Sequence, residues 1–167
     1  MTKTSTETIG VPDEPPFQLV TGFPPVYERL SFRIHQLGAQ LARVCNAMFR
    51  QYGIDLVSSR IMVLVLELGP SRAGTIVDAM MLPQSTISYQ LQRLEKLGYL
   101  ERSRQDEDQR IVTVTLTPTG RLVADACEKL SFNVYAALVD GMSPEVLQMI
   151  GGEVTGMLGR LQQLRGD

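Results

Sequence analysis

The chain has 167 residues, 44% hydrophobic and 20% charged, with a net charge of −2. This is the composition of one globular domain and excludes a disordered or fibrous protein. At this length roughly 68–70% of the unfolded surface is buried on folding, so a core forms without metals or disulfides, and the acidic balance gives no bulk signature of nucleic-acid binding.

Residues 1–22 show no hydrophobic period, are rich in Thr and Pro, and lack the apolar stretch of a signal peptide. They read as a flexible arm, with packing on a partner subunit through Phe17, Leu19 and Val20 as the alternative. Residues 23–57 hold the first long helix. Pro25 stands at its first turn, and Val26, Leu30, Ile34, Leu37, Leu41, Val44, Met48 and Tyr52 recur at steps of four and three before Gly53 ends it. A seam of about 40 Å exceeds what one small core requires, which predicts either a cradle for the domain or pairing with a second chain.

Residues 58–117 form the next block. Ser58 is expected to cap a second helix that runs to Leu68 and closes at Gly69-Pro70, although its run Ile61 to Leu66 equally suits a buried strand. That run is also the longest aliphatic stretch, far short of the roughly 18 residues that span a bilayer. Ser71 to Met80, capped by Ser71, and Gln84 to Leu97, closed by Gly98, make two short helices about a tight turn, the helix-turn-helix pattern. The period then changes. Ile111 to Leu116 is β-branched and alternating, hence a strand, and the segment before it is its hairpin partner. In residues 118–167, Thr117-Pro118 starts a helix to about Asp140 that stops at Gly141. Ser143-Pro144 starts another, in which Leu147, Ile150, Val154, Met157, Leu161 and Leu164 form a second seam.

The residues able to carry function cluster in the middle block. On a helical wheel Ile87, Leu91 and Leu94 share one side, while Ser85, Tyr89, Gln92, Arg93 and Lys96 share the other. Gln84, Ser85, Thr86, Ser88, Tyr89 and Gln90 offer donors and acceptors suited to base edges and phosphates, with Arg93 a turn further on. The same residues also suit a plain solvated face. The hairpin tip sets Arg102 and Arg104 before the acidic Asp106-Glu107-Asp108 and Arg110 after it. Arginine there suits a narrow minor groove, and Asp106 or Asp108 can orient Arg110 by a charge-assisted hydrogen bond. From Ser103 to Arg110, however, two positive charges face three negative ones, so a charged soluble turn is the alternative. The acidic triplet lacks the loop length and terminal bidentate Glu of an EF-hand. No nucleophile, base and orienting group recur at a telling spacing, so no catalytic residue is assigned and the chain does not read as an enzyme.

Three pieces stand in order between helical segments: Leu94-Glu95-Lys96-Leu97-Gly98-Tyr99-Leu100, Asp106-Glu107-Asp108-Gln109-Arg110 and Val114-Thr115-Leu116-Thr117-Pro118-Thr119-Gly120. With them the chain resembles the MarR family of winged helix-turn-helix transcription regulators over roughly Val26 to Leu164. The resemblance implies a mainly α fold with a small β-hairpin wing, in which long helices from both ends form an intertwined dimerisation region. It implies that Ile61 to Leu66 is helix. It also implies a homodimer, most often a repressor, that binds a pseudo-palindromic double-stranded DNA operator, and two cysteines with neither a C-x-x-C pair nor a secreted-style framework favour a reducing, cytoplasmic setting. Carried over by position, Ser85, Thr86, Ser88, Tyr89 and Arg93, beside Gln84, match recognition-helix contacts. Asp108 and Arg110 match the wing aspartate and minor-groove arginine, and Arg102 and Arg104 read as phosphate contacts. Ser58 to Arg60 resembles the start of the helix that abuts the DNA backbone, and Arg72 joins it.

Many relatives are released from DNA by a small-molecule effector of aromatic or acidic type, others by thiol oxidation. Tyr27, Arg33, His35 and Arg43 on the first helix are candidates to receive an anionic group, and equally suit exposed helix positions. Neither cysteine favours a thiol sensor. Cys45 is not at the place of the peroxide-sensing cysteine, and Cys127 lies among Asp125 and Glu128, which disfavour a thiolate. With one histidine no zinc site is expected, and no other cofactor. Gly151, Gly152, Gly156 and Gly159 suggest close helix approach at a dimer contact. The rival readings are a winged-helix module whose acidic wing faces a basic protein partner, and a thiol-based regulator.

Overall fold

The computed structural model describes Gly22, residues 24–104 and residues 112–165, with Arg104 and Arg165 described for their backbone alone. Nearly all of the predicted arm and the hairpin tip with Asp106, Asp108 and Arg110 lie outside the described residues. The chain divides into two compact units, Met1–Ala39 and Gln40–Asp167.

In the first unit Pro24 and Pro25 lead into a turn of 3-10 helix, Val26–Glu28, and then into α1 (Leu30–Phe49). The Nε of Arg29 donates to the Pro24 carbonyl at 2.9 Å, bracing the entry. In the second unit α1 ends in another 3-10 turn, Arg50–Tyr52, with Gly53 in the left-handed conformation that closes it. The single helix read from Val26 to Tyr52 is therefore an α-helix with a tightened turn at each end.

The second unit continues with α2 (Leu56–Leu68), β1 (Ser71–Arg72), α3 (Ala73–Met80), α4 (Gln84–Lys96), β2 (Leu100–Arg104), β3 (Val112–Leu116), α5 (Pro118–Leu138) and α6 (Pro144–Arg165). Ile61 to Leu66 is helical, as the resemblance implied. Its cap is not Ser58: the Asp55 carboxylate accepts the Ser58 N–H at 2.8 Å, so Ser58 is the third helical residue and its hydroxyl is used elsewhere. Ser71 caps nothing either. It lies in β1 with its hydroxyl donating to the Gly69 carbonyl, and α3 starts without a side-chain cap. Ser71 and Arg72 pair with Val114 and Thr113, which turns the expected hairpin into a three-stranded antiparallel sheet of order β1-β3-β2. A two-residue strand is too short to leave a period in the sequence.

The core gathers Phe49 from α1, Ile61, Met62 and Val65 from α2, Ile76 from α3 and Ile87, Leu91 and Leu94 from α4. Leu100, Val114 and Leu116 from the sheet, Val123, Ala124 and Cys127 from α5, and Cys45 and Ile54 complete it. Each buried large aliphatic or aromatic side chain is worth about 1.5–3 kcal/mol, and α2 is central because it touches α3, α4, α5 and β3.

Two of the sequence pieces prove to be one contact. The Thr117 hydroxyl accepts the Gly120 N–H at 2.9 Å, capping α5, and donates to the Gly98 carbonyl at 2.7 Å. The Thr117 N–H donates to the Tyr99 carbonyl at 3.0 Å. This knot ties the start of β2 to the start of α5 and so sets where the hairpin leaves the lobe.

By contrast, no described residue of α6 is buried, and Val26, Leu30, Ile34, Leu37 and Val44 of the first seam are exposed. No helix among the described residues is long and apolar enough to cross a membrane.

Candidate nucleic-acid interface

The α4 helix has a docking face and a free face, and the division differs from the wheel at Arg93 and from the set of donors and acceptors offered to DNA at Gln90. Ile87, Leu91 and Leu94 are buried as expected, and Gln84, Ser85, Ser88, Tyr89, Gln92 and Lys96 are exposed, Tyr89 at 64%. Thr86 is half-buried. Gln90, expected on the free face, is only 7% exposed. Its amide donates to Asp55 Oδ2 at 3.2 Å and accepts the Ser58 hydroxyl at 2.7 Å. Arg93 also turns inward: its Nη1 lies 2.9 Å from Asp55 Oδ2 and its Nη2 donates to the Gly53 carbonyl.

The strand residues complete the surface. In the β2–β3 register Leu100 faces Leu116 and Arg102 faces Val114. Cross-strand partners share a face, so Arg102 extends from the inner, α4 side of the sheet, where it forms an ion pair with Glu95 of α4. Around it opens a cleft of about 500 Å³ that brings together Gln84, Ser88 and Arg102 with Arg72, Gly74 and Thr75 from β1 and α3. Thus Gln84, Ser85, Ser88, Tyr89 and Arg102 share one surface. Arg93 is tied to the base of the lobe, and Arg104, Asp108 and Arg110 cannot be placed because their side chains fall outside the described residues.

Sequence reasoning missed Asp55. An acidic residue directly before the apolar run Leu56-Val57 was a cap signal, but no Glu or Gln follows at the third position to mark a capping box. Burial works to raise the Asp55 pKa, but the hydrogen bonds from Ser58 and Gln90 and the charge of Arg93 outweigh it and hold the carboxyl below its ordinary 3.8.

A second cavity, about 380 Å³, opens between the second half of α1, α2, α3 and α5. Its walls include Leu41, Val63, Leu64, Met80, Val134 and Leu138, and its charged groups are Arg60 and Glu67. None of Tyr27, Arg33, His35 and Arg43 lines it; all four are exposed, and the His35 ring leans on Phe32 at 6.3 Å. The side chains of α1 that face the cavity, Leu41 and Cys45, are apolar or sulfur-bearing.

Both cysteines are buried. Burial raises the Cys45 thiol despite the nearby Arg60, and pushes Cys127 up to about 11. The described residues hold no cluster of metal-ligating side chains.

Comparison with known proteins supports the same architecture. The MarR family model matches residues 54–112, the stretch from α2 through the start of β3. The HTH-type transcriptional regulator MgrA of Staphylococcus aureus is 24% identical over 111 residues, which is 66% of this chain and 76% of MgrA. Among solved structures, the S. aureus MepR–DNA complex superposes with a TM-score of 0.73 at 18% identity, covering 79% of this chain and 98% of that one. Streptococcus pneumoniae FabT in complex with DNA gives 0.66 at 22% identity, covering 83% and 99%. The helix-turn-helix and the three-stranded sheet span the segment, residues 54–112, over which this chain matches the MarR family model, and its fold is that of these solved structures.

Proposed function

We propose that the chain is a sequence-specific double-stranded DNA-binding transcription regulator. The observation that carries this reading is α4, which presents Gln84, Ser85, Ser88 and Tyr89 to solvent beside a cleft lined by Arg72 and Arg102. Short polar and amide side chains of this kind read base edges, and the arginines supply phosphate contacts. The wing residues Asp108 and Arg110, and Arg104 before them, complete the contact by position in the family. That two structural neighbours were solved with DNA supports the reading.

The regulator acts as a homodimer on a pseudo-palindrome. Its support is the pair of seams whose apolar residues are exposed in a single chain: Val26, Leu30, Ile34 and Leu37 on one, and Ile150, Val154, Leu161 and Leu164 on the other. An effector of aromatic or acidic type suits the cavity between α1, α2, α3 and α5, with Arg60 as the cation for an anionic group. Repression, the commonest action in the family, and a cytoplasmic site complete the proposal.

The test is selection of random duplex DNA on the purified protein at physiological salt, with sequencing of what is retained. The expected result is an enriched palindrome with half-sites about 10 base pairs apart. Salt-labile retention without enrichment would overturn it in favour of a protein-interaction module.

A further inference from the structure

The recognition helix is held at its second half by polar bonds as well as by apolar packing. The two carboxylate oxygens of Asp55 have separate tasks: Oδ1 accepts the Ser58 N–H and caps α2, while Oδ2 accepts from Gln90 Nε2 and Arg93 Nη1 of α4. The other end of the Gln90 amide accepts the Ser58 hydroxyl, and the second Arg93 nitrogen donates to the Gly53 carbonyl. We propose that Asp55 is a positioning residue for DNA recognition, setting the pose of α4 through Gln90 and Arg93, and that Arg93 is an internal strut and not a phosphate ligand. The proposal rests on the DNA-binding reading.

The physical argument runs through geometry. Gln90 and Arg93 stand three residues apart, so they meet α2 on one face of α4. Ile87, Leu91 and Leu94 fix how deep the helix sits, but apolar contacts are non-directional and leave rotation and slide about its axis weakly specified. A planar amide bonded at both ends and a guanidinium fork bonded at two nitrogens remove that freedom. Ser85, Ser88 and Tyr89 lie within two turns of these anchors, and bidentate readout of a base edge requires such a fixed pose. Two of the five guanidinium N–H donors of Arg93 are spent on Asp55 and Gly53, and those two bonds hold the side chain toward Asp55 and Gly53 and away from the free face of α4.

Asp55→Asn isolates the role, because asparagine keeps the Oδ1 acceptor and caps helices as well as aspartate does. It replaces Oδ2 by an amide nitrogen, which cannot accept from Gln90 or Arg93. The experiment measures binding of wild type, Asp55→Asn, Arg93→Gln and the double variant to the duplex selected by the wild type and to a mixed-sequence duplex, with Tm recorded for each. Arg93→Lys, which keeps the charge but not the two-pronged hold, is a further variant should Asp55→Asn fold poorly.

Asp55→Asn and Arg93→Gln are each expected to lose about tenfold in affinity for the selected duplex and less than threefold for the mixed one, with Tm lowered by no more than about 4 °C. The double variant is expected to be no worse than the more affected single, because both break the shared Asp55–Arg93 hold on α4. Arg93→Lys should share the loss of discrimination. The proposal is overturned if Asp55→Asn discriminates as the wild type does, or if the two losses add. It is overturned too if Arg93→Gln weakens both duplexes equally and reduces the salt slope by about one, the signature of a phosphate contact. If the wild type selects no duplex at all, the DNA-binding reading itself fails, an outcome distinct from selection that is indifferent to Asp55.

Discussion

A β-carbon at position 120 would fall 1.8 Å from the Tyr99 carbonyl oxygen, a backbone atom that the Thr117 N–H also holds. Nothing flexible is there to yield, so Gly120→Ala must separate α5 from the start of β2. The expected cost is about 3 kcal/mol, the upper end for overpacking, read as a fall in the denaturation midpoint. Loss of under 1 kcal/mol would mean that the junction adapts. Cys127 tests burial in a different way. A thiol pushed up to about 11 from 9.0 carries about a hundredfold less thiolate near neutral pH. Native protein at pH 8 should therefore react with a thiol reagent at least about a hundredfold more slowly at Cys127 than the unfolded chain does. Rapid modification in the folded state would reopen a thiol-sensing role.

At the scale of elements, α2 and α4 are joined by a charge whose value depends on pH. Asp55 has a pKa below its ordinary 3.8 when folded. Its contribution to stability is therefore present above that range and is lost as pH falls through about 4 toward the folded value. The Tm of the wild type should fall more steeply between pH 5 and pH 3 than that of Asp55→Asn, which has no carboxyl to protonate there. Parallel curves would show that other carboxylates govern acid unfolding. The free face of α4 gives a complementary expectation. Tyr89 is 64% exposed and contributes little to the core, so Tyr89→Ala should leave Tm within about 2 °C while changing the base preference of the selected DNA more than the total affinity. A selected motif identical to that of the wild type would remove Tyr89 from the reading surface.

Over the whole molecule, the second unit has a dense core but leaves α6 without a buried described residue. Four glycines in α6 add to the puzzle, because each costs about 1 kcal/mol relative to alanine in a helix. A Cβ at Gly151, Gly152 or Gly159 would meet nothing within 4 Å, and at Gly156 only the flexible end of Arg160. Nothing among the described residues requires them to be glycine. In the proposed homodimer the close approach of a partner helix would supply the reason, so Gly156→Leu should raise the dimer dissociation constant at least about tenfold in sedimentation, with helix content unchanged. Undiminished dimerisation would place the contact elsewhere.

The sequence alone was enough for features that depend on near neighbours. Apart from α2, whose run Ile61 to Leu66 periodicity left between helix and strand and whose Asp55 cap went unread, the order of helices, the switch from a period of 3.6 to one of 2 before β3, the Thr117-Pro118 cap and the apolar side Ile87, Leu91 and Leu94 were legible, because capping and periodicity are local. The polar face Ser85, Ser88 and Tyr89 was legible for the same reason. What eluded the sequence joins residues far apart in the chain. β1 exists only because Ser71 finds Val114, and Gln90 and Arg93 turn inward only because Asp55 stands 35 and 38 residues earlier. The cavity lies where α1, α2, α3 and α5 converge, and its charges, Arg60 and Glu67, come from α2, which no local pattern marked as its wall. A wheel records which side chains share a side, but whether that side meets water, a carboxylate or another helix is decided by tertiary packing, since burial and hydrogen-bond partners are properties of the assembled fold.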